Sequence, residues 1–256
     1  MTMRLSTGMC NWLAQHGSVK QAFENGEIKI YTGSQPATAD AAATGTLLCT
    51  VTTGSGARTA EVLATGTVTL TGGAAGSVDS VTVDGIELLA AAVPYNTSLD
   101  QTASDLATAI NQGISSPEYR ASAAGAVVTI EALRGSGAAP NGFVVTGSNT
   151  TITTAYANMS GGVTAVNGLR WGNVAVGVID KRASDAWSGV NVASGTAGWY
   201  RLYGSVADAG TLDSTGVTLR QDGAIAASGA ELNIGTTFTN GVTTTISSLA
   251  NTVPAS

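Results

Sequence analysis

"NTSLDQTASDLATAINQGI", residues 96–114, is the stretch on which the fold turns. Leu99, Ala103, Leu106 and Ile110 recur at helical spacing on one face, Ser98 with Gln101 forms a capping-box pattern, and Gly113 follows the last turn. The spacing predicts a helix. Its neighbours on both sides have a different texture, with β-branched residues and turn signals replacing the helical period.

Upstream, "ATGTVTLTG" (64–72) and "DSVTVDGIELLAA" (79–91) predict strands over 66–71 and 80–89. Asp84-Gly85 suits a two-residue hairpin, because both central positions of a type I′ turn need positive φ. Downstream come "GAVVTIEAL" (125–133) and the pair "FVVTG" (143–147) and "TTITTA" (150–155). Residues 62–164 therefore read β-β-α-β-β, a small α+β domain of ordinary size.

Outside that segment the pattern is mainly β. "GEIKIYTG" (26–33) alternates Ile28 and Ile30 with Lys29 and Tyr31, and "YTGSQPATADAAATGTLLCTV" (31–51) reads as strand, Pro-containing loop of small residues, and returning strand. Before it, Leu5, Met9, Trp12 and Leu13 have helical spacing, with Ser6 or Thr7 as N-cap. Gly8 and Gly17 leave open whether residues 4–24 form one helix or a broken one. After residue 165 there follow "NVAVGVID", "GWYRLYGSV", "GVTLRQDGAIAASG", "AELNIG" and "TTFTNGVTTTIS", in which Asp222-Gly223 and Asn240-Gly241 read as hairpin turns.

Two or three N-terminal strands cannot bury a sheet face alone. The expected architecture is one discontinuous antiparallel β-sandwich, residues 1–61 plus 165–256 with an N-terminal helix, and the α+β domain 62–164 inserted at a loop.

Composition narrows the function. Charged residues make up 11% of 256 and the net charge is −6, so no basic patch exists to neutralise a phosphate backbone, and nucleic acid is not an expected partner. No apolar run is long enough to span a bilayer, so no membrane partner is expected either, and the N-terminus lacks the apolar core of an export signal. Cys10 and Cys49 lie among apolar residues and read as buried free thiols rather than a bridge.

Signals for chemistry are sparse. His16 is the one histidine, with no nucleophile elbow near it, and G-x-S-x-G, G-x-x-x-x-G-K, H-E-x-x-H and C-x-x-C are all absent. Asp180 with Asp185, and Asp208 with Asp213, are spaced as paired carboxylates of a glycosidase or loop ligands of a calcium ion could be, yet turn-capping aspartates account for them as well. No catalytic residue, metal ligand or cofactor is expected. "WSGVNVASGTAGWYRLYG" (187–204) gathers much of the aromatic content. Alternation sends Trp199, Arg201 and Tyr203 one way and Tyr200 and Leu202 the other, so Trp187, Trp199, Arg201 and Tyr203 are candidate subunit-interface residues.

"RLSTGMCNWLAQHGSVKQAFENGEIKIYTGSQPATADAAATGTLL", "SDAWSGVNVASGTAGWYRLYGSVADAG" and "LRQDGAIAASGAELNIG" resemble virion structural proteins of tailed bacteriophages and prophages. The 62–164 segment resembles a module found in phage tail and other structural proteins, through "SVTVDGIELL", "TASDLATAINQGI", "YRASAAGAVVTIEAL" and "GAAPNGFVV". The resemblance implies a non-enzymatic protein of the particle, a tail component or a capsid-surface decoration protein, assembled in the bacterial host cytoplasm. It implies contacts with other virion proteins and with copies of itself as a homo-oligomer. The alternative is a receptor- or glycan-binding module, for which Tyr95, Tyr119 and Phe143 of the inserted segment are the candidate contact side chains.

Overall fold

The structure, a computed structural model, describes residues 3–15, 17–113, 115, 118–214 and 216–252. In chain order the first elements are β1 (Arg4–Leu5), α1 (Thr7–Gln15), α2 (Val19–Phe23), β2 (Glu27–Thr32) and β3 (Leu47–Thr53). Next come β4 (Thr65–Gly72), β5 (Ser77–Val83), β6 (Ile86–Glu87), β7 (Val93–Pro94), α3 (Leu99–Asn111), β8 (Tyr119–Ala124), β9 (Val127–Ala132), β10 (Val145–Thr150) and β11 (Thr153–Ser160). The last are β12 (Trp171–Ala175), β13 (Val178–Lys181), β14 (Trp187–Val190), β15 (Gly195–Tyr203), β16 (Arg220–Ala226), β17 (Leu232–Asn233), β18 (Thr237–Phe238), β19 (Thr243–Ile246) and β20 (Ala250–Thr252). The protein is mainly β, and among the described residues its strand pairs are antiparallel apart from β16 with β17.

Contacts divide the chain into two compact units, Met1–Glu61 with Ala165–Ser256, and Val62–Thr164. In the larger unit a nine-stranded sheet runs β1-β16-β15-β2-β3-β14-β19, with β17 and β18 attached to β16 and β15. A three-stranded sheet, β12-β13-β20, packs on it in sandwich fashion: the Trp171 ring meets the Trp187 ring edge-on at 5.0 Å, and Asn251 donates to Gln221 at 2.7 Å. The N-terminal segment is a broken helix. Ser6 caps α1 by accepting from the Met9 N–H at 3.2 Å, Ser18 caps α2, and Leu5 lies in a strand instead of the helix.

In the smaller unit, sheets β10-β5-β6 (with β7 on β5) and β11-β4-β9-β8 share one core, into which α3 sends Ala103, Leu106 and Ile110. Among the described residues four strands precede the helix and four follow it, where the sequence pattern reads two and two. The expected strand 80–89 is two strands, because Asp84 (φ 49°) and Gly85 (φ 83°) turn the chain between β5 and β6. The Ser98 hydroxyl accepts from the Gln101 N–H at 3.1 Å, while the Gln101 side chain reaches forward to Asp105 and leaves the reciprocal half of the capping box unmade.

Two turns differ from expectation. Asp222-Gly223 lies inside β16, not at a hairpin: Asp222 is buried in an ion pair and Gly223 leaves room for the Tyr200 ring, 2.6 Å from where a Cβ would sit. Asn240-Gly241 does turn, closed by the Val242 N–H on the Thr239 carbonyl, but the strands it joins pair with different neighbours, β18 with β15 and β19 with β14.

Candidate functional site: a buried polar grid on the large sheet

The register of β2, β15 and β16 builds a grid on one face of the nine-stranded sheet. Lys29, Arg201 and Asp222 lie in one row, and Glu27, Tyr203 and Arg220 in the next. Tyr31 and Trp199 begin a third row and stack at 4.7 Å. Polar residues at strand spacing would ordinarily mark a solvated face. Here loops cover it.

Arg201 and Asp222 are fully buried and meet in a two-pronged ion pair, Nε to Oδ1 at 2.6 Å and Nη2 to Oδ2 at 2.8 Å. Arg220 repeats the arrangement with Asp208, at 2.6 and 2.9 Å. Burying charges is costly, and these pairs are tolerable because further guanidinium protons also find acceptors. Arg201 Nη1 donates to the Ala41 carbonyl at 2.9 Å, and Arg220 donates to the Asp40 and Leu212 carbonyls at 3.0 Å each. Arg4 likewise donates to the Pro36 carbonyl.

The covering segments are thus pinned by their backbones. Asp40 also accepts from the Thr7 N–H and hydroxyl, and the Asp213 carboxylate accepts from the Ala42 N–H at 2.8 Å. This explains the plain run "ATADAAATG" between β2 and β3: a carbonyl reaches a buried guanidinium only where the loop carries side chains small enough to lie flat on the sheet. Ala39 is fully buried there. Gly210, at φ 72°, lies against the Tyr203 hydroxyl in a place where no Cβ fits.

Burial works against the charge on Arg201, but Asp222 offsets it and the guanidinium pKa rises. Burial pushes the Asp222 carboxyl up against the pull of Arg201. At Asp208 burial also acts upward, but the Arg220 hydrogen bonds, the Gly210 N–H and nearby positive charge win and hold the carboxyl below its usual range. Burial raises Tyr31 and Tyr203, whose hydroxyls face each other at 3.3 Å.

The four candidate interface residues Trp187, Trp199, Arg201 and Tyr203 are all fully buried within the chain, so none of them is presented to a neighbour. From Trp199 to Tyr203 both faces of β15 are covered, one by the apolar core and the other by the loops. Cys10 is exposed, correcting the expectation of two buried thiols. Cys49 is buried, which pushes its thiol up to about 11. Asp185 is held by Arg170 at 2.8 and 2.9 Å and Asp180 is exposed, so the aspartates spaced as glycosidase pairs each have separate surroundings. Tyr119 is buried, and Tyr95 and Phe143 pack on the smaller unit's core. His16 lies outside the described residues.

Among the described residues no group of three or more His, Cys, Asp or Glu could hold a metal ion, and no helix is long and apolar enough to cross a membrane. A cleft of about 310 Å³ in the larger unit is lined by Asn25, Thr53, the 165–168 turn and Arg170, whose guanidinium is already engaged by Asp185. The grid itself was missed by sequence reading. Its one signal was that arginine and aspartate recur in otherwise apolar strands at "WYRLY" and "LRQDGAI". Comparison with protein-family models, with curated proteins and with solved structures finds no match to this chain.

Proposed function

We propose that the chain is a non-enzymatic structural protein of a tailed-bacteriophage particle, a tail component or a capsid-surface decoration protein that acts through repeated subunit contacts. The supporting observation is how the larger unit uses its ionisable groups. Arg201, Asp222, Arg220 and Asp208 are engaged with one another and with backbone carbonyls, an arrangement that stiffens loops on a sheet and leaves no free acid, base or nucleophile in the grid. The resemblance of the N- and C-terminal stretches to virion proteins supplies the setting.

Gold-antibody labelling of purified particles, viewed by electron microscopy, tests the proposal. Label over the head assigns a capsid-surface protein and label at the tail a tail component. Intact and disrupted particles that both stay unlabelled, with a control antibody working, overturn the reading.

A further inference from the structure

We infer that β19 is a self-pairing edge, through which two copies of this chain join their large sheets antiparallel about a two-fold axis centred on Thr244. The inference deepens the proposed structural role and rests on it, naming one of its subunit contacts and the residues that form it.

Among the described residues β19 pairs only with β14, in the register Trp187 to Ile246, Ser188 to Thr245, Gly189 to Thr244 and Val190 to Thr243. The Asn191 N–H donates to the Val242 carbonyl at 2.9 Å, and this fixes the alternation of an antiparallel ladder. The Val242 carbonyl and the backbone groups of Thr244 turn toward β14, and Thr243 and Thr245 turn their backbone groups outward. Both outward residues are exposed. Asn191 faces both Gly241 (φ 80°) and Val242, a bulge that ends before β19 and leaves the strand itself regular.

Several other edges of this protein are guarded. The side chain of Asn111 takes the place of a neighbouring strand beside β8, donating to the Ala121 carbonyl at 2.8 Å and accepting from its N–H at 2.9 Å. Asn158 accepts from the Val145 N–H at the start of β10, and the pairings of β10 and β11 are interrupted by register shifts. β1 and β6 are two residues long. These are the usual devices against edge-to-edge association. β19 and its flanks carry neither of the two simplest guards, charge and proline: residues 232–252 contain no Lys, Arg, Asp, Glu or Pro.

The occupant follows from charge and symmetry. A chain of net charge −6 repels its own copies, but this edge is neutral and brings no like charges together. Centring a two-fold on Thr244 sets Thr243 opposite Thr245 of the second copy, and the reverse. The outward groups of both then form four backbone hydrogen bonds, and cross-strand threonine pairs are favourable. Val190, Val192 and Val242, each at least half exposed, provide apolar surface around the edge.

The test is sedimentation velocity of the purified full chain across a wide concentration range, for wild type, Thr245→Lys and Thr243→Pro. Thr245→Lys places a charge on the edge. Thr243→Pro removes an outward N–H while leaving the ladder to β14 intact. Wild type is expected to dimerise with rising concentration, and either variant to weaken the dimer about tenfold or more, with unchanged near-ultraviolet circular dichroism. A wild type that stays monomeric, or a dimer equally tight in both folded variants, overturns the inference. Particle labelling is a separate readout, so the edge contact can fail while the virion reading stands, and the reverse.

Discussion

Replacing Asp222 by Asn should unfold the larger unit far more readily than its small change in shape suggests. Arg201 and Asp222 are both fully buried, and the carboxylate accepts two of the guanidinium's hydrogen bonds. Asn keeps the volume and removes the charge, so Arg201 is left as a buried cation with a neutral partner and the Ala41 carbonyl. Breaking a buried pair in this way costs about 3–5 kcal/mol. With a urea slope of about 2 kcal/mol per molar, the midpoint should fall by about 1.5–2.5 M.

Tryptophan fluorescence is the natural assay, because Trp12, Trp171, Trp187 and Trp199 all belong to the larger unit and none to the smaller. Trp199 is also a local reporter, with the Arg201 guanidinium 5.3 Å from its ring. The double variant Arg201→Met with Asp222→Leu removes both charges and should recover most of the loss. A midpoint shift under about 0.5 M for Asp222→Asn would refute the account, since so small a loss is that of a solvated surface pair. A double variant as unstable as the single one would transfer the effect from the orphaned charge to packing.

Three further outcomes are expected. Asp208 and Asp185 have carboxyl pKa values below the ordinary range, so each contributes stability above its unfolded pKa that is lost as pH falls through the folded one. Urea midpoints read by tryptophan should therefore drop from about pH 4 downward, and Asp208→Asn should flatten that drop. A thiol reagent should label Cys10 quickly in the native chain and reach Cys49 only in denaturant, because Cys49 is buried and its thiol is pushed up to about 11; two rapid labels would count against its burial. Ser98→Ala removes the cap on α3 and should cost the smaller unit about 1 kcal/mol, measurable by urea unfolding followed by circular dichroism; an unchanged midpoint would show that tertiary contacts alone hold that turn.

Local chemistry was legible in the sequence, because its determinants lie within a few residues of one another. The helix at 99–111, its Ser98 cap and the Asp84-Gly85 turn each depend on neighbours along the chain. Short or weakly patterned strands escaped, such as β8, whose "YRASAA" is mostly small and polar and is held in place by β9 and Asn111. The interface reading of Trp199, Arg201 and Tyr203 failed for a similar reason. Strand alternation shows which side chains share a face but not what covers it.

The same dipeptide draws the line between the two kinds of information. Asp84-Gly85 and Asp222-Gly223 are indistinguishable as letters, and the first is a turn with open space around its glycine. The second is the middle of a strand, because Asp222 is drawn to Arg201, 21 residues earlier, and Gly223 must admit the Tyr200 ring. From the sequence alone came a mainly β chain with a capped helix and a hairpin, set by backbone preferences and hydrophobic period. Tertiary structure alone decided that a plain loop would lie over buried arginines, since strands distant in sequence must first pair before their charges and carbonyls can meet.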